Sequence, residues 1–157
     1  MKLAWKRLDG QSGHEAGRQL LASLFFEETG REMPQISYTD NGKPYFLDED
    51  WHFSVSHTPS HVFCCLSNEN VGIDGEETDR NIDPRIAGRY LSEKEQKRLE
   101  NAPDQRAALL RLWVLKEAYV KLTGRGIGNW LRETDFDPED PRVTVIDGCF
   151  VAILEGE

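Results

Sequence analysis

The sequence predicts an α+β protein, with strands and helices in separate blocks of the chain and not in the strand–helix alternation of a parallel doubly wound sheet. Three observations carry the prediction. Apolar residues recur at helical spacing between His14 and Thr29. Aromatic and β-branched runs broken by turn residues fill the stretch from Ile36 to Glu76. Two capped helical patterns then occupy residues 92–122, before strand-like runs return near the C-terminal end.

Taken in order, Lys2–Leu8 reads as a short strand. In the first helix Ala16, Leu20, Leu21, Leu24 and Phe25 form the apolar stripe, and Gly30 supplies the stop. Ile36-Ser37-Tyr38 runs into Asp40-Asn41-Gly42, and Asn-Gly predicts a two-residue hairpin turn because both residues accept positive φ. Trp51–Ser56 and His61–Leu66 are the next strands, joined through Thr58-Pro59-Ser60, and Val71–Glu76 is another. Asp83-Pro84 opens a short helix, since proline fits a first turn where its missing N–H is not needed. Ser92-Glu93-Lys94-Glu95 is a capping box that opens a second. Asp104 caps the longest helix, which ends near Leu122 in the glycine-rich Thr123–Gly128. Arg142–Ile146, the turn Asp147-Gly148 and Cys149–Glu155 form a final hairpin.

The 157 residues suggest a single domain, and 38% hydrophobic with 30% charged residues exclude disorder as the main character. The longest apolar runs fall short of the ~18 residues of a membrane span. The first residues meet Lys2, Lys6 and Arg7 before any leader-like apolar stretch forms. The net charge of −9 argues against binding nucleic acid through its phosphates. Three cysteines, two of them adjacent, are no disulfide framework, so the expected compartment is the cytoplasm.

Several constellations could carry chemistry. Asp74 and Glu76 share one face of a strand, where two repelling carboxylates suit a hard divalent cation; a solvated strand end on an acidic protein has the same pattern. In Trp113-Val114-Leu115-Lys116-Glu117-Ala118-Tyr119-Val120-Lys121, Glu117 and Lys121 stand at i, i+4, which is also an ordinary salt-bridge spacing. Ser56 and His57 end a strand as hydrogen-bond donors suited to phosphate, and no Gly-x-Ser-x-Gly elbow supports a hydrolase. Zinc at His57, His61, Cys64 and Cys65 is disfavoured because the cysteines are adjacent and not spaced. Lys43 projects from a hairpin stiffened by Pro44, or is an ordinary exposed turn lysine. Gly124-Arg125-Gly126-Ile127-Gly128 follows a helix, so it is a helix exit and no dinucleotide fingerprint.

The order of these motifs is more specific than any one of them. Asn41-Gly42-Lys43-Pro44, Phe53-Ser54-Val55-Ser56-His57, Val71-Gly72-Ile73-Asp74-Gly75-Glu76, then Trp113–Ala118 with Lys121 and Gly124 resembles the 4′-phosphopantetheinyl transferase superfamily. It is most similar to the two-lobed, surfactin-synthetase-activating (Sfp-like) branch. The resemblance runs from about Gly17 to about Gly128 and includes Ile86–Ser92. It implies two small similar lobes, a pseudo-dimer in one chain, each a short antiparallel sheet with a packed helix. The lobes would span about 1–68 and 69–157, with the active site in the cleft between them.

The reaction implied is Mg²⁺-dependent transfer of the phosphopantetheine arm of coenzyme A to a serine of an apo acyl or peptidyl carrier protein, releasing 3′,5′-ADP. The alternative is a degenerate protein that binds coenzyme A or a carrier and turns over little. By position, Asp74, Glu76 and Glu117 would hold Mg²⁺, with Glu117 also the base and Lys121 acting on phosphate oxygens or the leaving group. Lys43, Ser56, His57 and Arg18 would contact coenzyme A; Trp113 would pack, and Lys116 would pair with an acid or a phosphate. Arg80, Arg85, Arg89, Lys94, Lys97 and Arg98 form a candidate face for an acidic carrier, although Glu93, Glu95 and Glu100 are interleaved, as on a mixed solvated surface. The expected state is a monomer, with a dimer as the alternative. Two departures stand out. Gly75 replaces the family's usual aliphatic residue and should cost the strand a packing side chain. The N-terminal region is shorter than the branch's basic segment, leaving Lys6, Arg7 and His14 as its cations.

Overall fold

The computed structural model describes residues 1–156. It has the mixed character expected, built on small antiparallel sheets. Strands β1 (Lys2–Arg7), β4 (His52–His57) and β5 (His61–Ser67) form one sheet in the order β1-β5-β4. Helix α1 (Gly13–Thr29) lies across it, its first turn capped by Ser12 Oγ, which accepts from the Glu15 N–H at 3.1 Å. The apolar stripe of α1 sets Leu21, Leu24 and Phe25 against Phe46, Phe53, Cys64 and Leu66, a core that holds the helix to the sheet by burial.

The predicted hairpin is present as β2 (Ile36–Tyr38) and β3 (Pro44–Phe46), but its turn differs from the expected one. Gly42 alone takes positive φ, at 88°, and Asn41 does not. The Gly42 N–H donates to Thr39 O and the Thr39 N–H to Lys43 O, each at 2.9 Å, closing a three-residue loop that ends on the left-handed glycine.

A second sheet has the order β6-β8-β7, with β6 at Asn70–Glu77, β7 at Val143–Ile146 and β8 at Cys149–Gly156. Helix α4 (Gln105–Thr123) covers it, packing Leu112, Leu115, Ala118 and Leu122 with Phe150, Ala152 and Leu154. Asp104 caps α4 by accepting from the Ala107 N–H, and Gly124 ends it, as the sequence predicts. The helix seats unusually close to β6 because Gly72 has no side chain: a Cβ there would lie 2.1 Å from the Ala118 carbonyl oxygen. Two short helices, α2 (Arg85–Tyr90) and α3 (Glu93–Glu100), precede α4, and the Ser92/Glu95 capping box forms with both of its bonds. A 3₁₀ turn at Asn129–Glu133 follows α4; no apolar period announced it.

The uncovered faces of the two sheets meet through Phe63 and Cys65 on one side and Val71, Ile73, Cys149 and Val151 on the other. Here the expectation for Gly75 is corrected. A Cβ at Gly75 would stand 2.8 Å from the Phe63 ring, so the strand forfeits no packing: the aromatic ring fills the place a side chain would take. Along one margin β4 runs beside β6 with no backbone ladder between them. Hydroxyls replace the ladder: Ser54 Oγ accepts from the Ile73 N–H and Ser56 Oγ from the Gly75 N–H, both at 3.1 Å. Elsewhere, Arg7 (2.7 Å) and His61 (2.8 Å), both from the first sheet, reach Asp147 in the β7–β8 turn and hold its carboxyl well below the usual carboxylate range.

Candidate active site

Alternation along β6 puts Asp74 and Glu76 on one side of the strand, and helical spacing puts Glu117 and Lys121 one turn apart on α4, which packs there. Asp74 is 6% exposed. Lys121 Nζ donates to its Oδ1 at 3.1 Å and to the carbonyl oxygens of Ile73 (2.9 Å) and Val55 (3.3 Å), so the ammonium stitches β4, β6 and α4 together. Ser56 Oγ donates to the same Oδ1 at 3.3 Å. The other oxygen, Oδ2, is buried with no partner. Glu76 pairs with Arg80 at 2.5 Å.

The electrostatics are those of too many acids for the cations beside them. Burial pushes the Asp74 carboxyl up, against the pull of Lys121. Burial and then the Asp74 charge raise Glu76, opposed by Arg80. Glu117 is pushed up to about 7, first by burial and then by Asp74, with Glu76 adding to the repulsion and Lys121 opposing it. An all-oxygen donor set, three mutually repelling carboxylates and an orphaned buried carboxylate oxygen fit a hard divalent cation. Among the described residues no three His, Cys, Asp or Glu side chains already form a ligand cluster. Glu76 is directed to Arg80 and Asp74 to Lys121.

Beside these acids opens a cavity of about 360 Å³, lined by Gly13, Arg18, Lys43, His57, Lys121 and Gly124 among others. Arg18 Nη2 donates to the Tyr38 hydroxyl at 2.6 Å, while its Nη1 is buried without a partner. His57 lies against the start of α1, where a Cβ at Gly13 would meet its ring at 2.3 Å. Lys43 is half-buried and does not simply project from its hairpin. Its Nζ donates to Leu122 O at 2.7 Å and Asn70 Oδ1 at 2.6 Å, tying the β2–β3 loop to the end of α4, and burial lowers its pKa.

Thus Arg18, Lys43, His57 and Lys121 share one cavity, and Lys121 joins it to Asp74, whose charge acts on Glu76 and Glu117. Ser56 stands apart from the other coenzyme A candidates. Neighbouring residues of a strand face opposite ways, so His57 faces the cavity while Ser56 faces β6 and bonds to Gly75 and Asp74. Lys116 pairs with an acid, Glu95, and Trp113 packs against Tyr90. Of the basic candidate face, Arg80, Arg85, Arg89, Lys94 and Lys97 are exposed. Arg85 pairs with Asp83, Arg80 with Glu76, and Arg98 donates to Phe136 O. Sequence reasoning missed the roles of Ser54, Tyr38, Asn70 and Gly13; the alternating hydroxyls Ser54-x-Ser56 in an otherwise apolar strand were the one available signal.

A buried carboxylate oxygen without a partner, beside two further acids and bordering through Lys121 on a cavity lined by cations, has the chemistry to suit a hard cation and a phosphate. A family model of the 4′-phosphopantetheinyl transferase superfamily matches residues 70–150, about half of the chain. The chain belongs to that superfamily. It is 40% identical over 90 residues to the 4′-phosphopantetheinyl transferase gsp of Aneurinibacillus migulanus, covering 55% of this chain and 36% of that protein. It is 37% identical over 116 residues to psf-1 of Bacillus pumilus (71% and 49%) and 33% identical over 96 residues to Sfp of Bacillus subtilis (59% and 42%), both likewise named 4′-phosphopantetheinyl transferases. The chain thus spans about half the length, or less, of these relatives.

Proposed function

We propose that this protein transfers the 4′-phosphopantetheine arm of coenzyme A to a serine hydroxyl of an apo acyl or peptidyl carrier protein and releases 3′,5′-ADP. The observation that supports the reading best is the junction at Lys121: the ordered family acids lie on one side of it and the cavity with the orphaned Arg18 Nη1 on the other. On this reading the sheet β1-β5-β4 with α1 is the first lobe, to about residue 68, and β6-β8-β7 with α4 the second. The cleft between them is the active site.

Asp74, Glu76 and Glu117 would hold Mg²⁺, which when bound supplies electrostatic stabilisation of the charge that develops on the diphosphate. Arg18, Lys43 and His57 bind the phosphates of coenzyme A in the cavity. The serine oxygen attacks the phosphorus that bears the pantetheine arm, forming a P–O bond as the bond to the bridging oxygen breaks and 3′,5′-ADP leaves. Glu117, whose carboxyl is pushed up to about 7 by burial and then by the Asp74 charge, takes the serine proton. Lys121 neutralises charge on the departing phosphate. The exposed Arg85, Arg89, Lys94 and Lys97 steer the acidic carrier despite the overall charge.

The test is labelling of apo carrier proteins with a fluorescent coenzyme A in Mg²⁺, with EDTA and Asp74→Ala as controls. Metal-dependent labelling lost in both controls supports the assignment. Coenzyme A binding by calorimetry without labelling of any carrier would instead favour a binding protein of little turnover.

A further inference from the structure

We infer that Ser56 is a positioning residue for the metal site, not a contact to coenzyme A, and that it acts by fixing which oxygen of Asp74 is left free to bind the ion. The inference rests on the reading of Asp74 as a metal ligand given above.

The geometry points to this in three ways. First, Ser56 is 5% exposed and its hydroxyl is committed inside the protein: it accepts from the Gly75 N–H at 3.1 Å and donates to Asp74 Oδ1 at 3.3 Å. Its one proton is therefore spent on the carboxylate, leaving none for a phosphate oxygen. Second, the two donors that reach Asp74, Ser56 Oγ and Lys121 Nζ, converge on the same oxygen, Oδ1. Oδ2 is left buried and unpartnered. Third, Ser56 is anchored to the strand that it positions, because the Gly75 amide it accepts from directly follows Asp74. Ser56 thus fixes backbone and side chain of one residue pair at once, as an outer-shell hydrogen bond does for a ligating carboxylate.

Ser54 provides an internal control. It makes the same kind of bridge across the β4–β6 margin, accepting from the Ile73 N–H at 3.1 Å, but its hydroxyl does not touch Asp74. A purely architectural role for the two serines would make their loss equivalent. A positioning role separates them.

The experiment is titration of Mn²⁺ alone, followed by the electron paramagnetic resonance of the free ion, into the full chain and its Ser56→Ala, Ser54→Ala and Ser56→Thr variants. Thermal melts and calorimetric titration of metal-free coenzyme A run alongside. Ser56→Ala should weaken Mn²⁺ binding by roughly 10–100-fold and leave metal-free coenzyme A affinity as it was. Ser54→Ala should lower the melting temperature comparably yet bind Mn²⁺ like the parent, and Ser56→Thr, which keeps the hydroxyl, should restore binding. If Ser56→Ala does not fold, Ser56→Cys keeps the volume while weakening both bonds and should lose Mn²⁺ affinity in the same direction. Equal loss in Ser54→Ala and Ser56→Ala, or unchanged Mn²⁺ binding with weakened coenzyme A binding in Ser56→Ala, overturns the inference while the metal site stands. A parent protein that binds no Mn²⁺, with or without coenzyme A, overturns the metal assignment itself and the inference with it.

Discussion

Lys116 on α4 and Glu95 on α3 form an ion pair at 2.5 Å with both side chains fully buried. The ammonium also donates to Leu131 O (2.7 Å) and to the carbonyl (2.8 Å) and hydroxyl (2.7 Å) oxygens of Thr134, while Glu95 accepts from the N–H groups of Ser92 and Phe136, each at 2.8 Å. A residue inside the family's helix motif thus holds α3 and the 130s segment to α4, one position from Glu117. Removing one partner strands the other charge. Lys116→Met should therefore destabilise the fold by roughly 3–5 kcal/mol in urea unfolding. Lys116→Met combined with Glu95→Gln, which retains the acceptor and removes the charge, should recover a large part of that loss. A single variant as stable as the parent would mean that the pair has no structural role.

Glu117 links stability to pH with a definite sign. Its carboxyl, raised from 4.5 to about 7, binds more protons in the folded than in the unfolded chain across that window. Its contribution to stability therefore declines as pH rises from 4.5 and has been lost above about 7, costing roughly 1–3 kcal/mol once partial solvation is allowed for. Glu117→Gln should flatten this decline, so that the variant melts above the parent at pH 8 and near it at pH 4.5. Identical pH profiles for the two proteins would show that the Glu117 environment is wrongly described.

Gly75 should resist restoration of the family's aliphatic side chain. With the Phe63 ring 2.8 Å from where a Cβ would sit, Gly75→Val overpacks the space between the sheets and should cost about 1–3 kcal/mol. Adding Phe63→Ala should relieve part of the strain, and a double-mutant cycle measures the coupling. No coupling would mean that Phe63 does not occupy that space.

The three cysteines are free and buried, and burial pushes Cys65 up to about 12 and Cys149 up to about 11. None should react with a thiol reagent at pH 8 in the folded protein, and all three should react after denaturation. Rapid reaction of one thiol in the native state would expose a local opening at that strand.

The features legible in the sequence are those that local chemistry fixes. The Ser92/Glu95 capping box, the Asp104 cap and the spacings of Asp74 with Glu76 and Glu117 with Lys121 need only strand or helix geometry to be placed correctly. What escaped depends on contacts distant in sequence. Lys43 reads as a projecting turn cation until α4 and Asn70 approach it, and Gly75 reads as a packing defect until Phe63 arrives from the other sheet. Ser56 and His57 read as one phosphate-binding pair, although strand alternation turns them to opposite faces; that rule is local, but which face borders the cavity depends on where α1 lies. Asn-Gly predicted the hairpin but not its turn type, since the third loop residue decided where the positive φ falls.

The most direct test of the central claim is the intact mass of apo carrier proteins after incubation with this protein, coenzyme A and Mg²⁺. A carrier serine should gain one phosphopantetheine, and EDTA or Asp74→Ala should abolish that gain. A gain that persists in full in Asp74→Ala would contradict the metal-site assignment, and no gain on any carrier together with no binding of coenzyme A would contradict the proposed reaction.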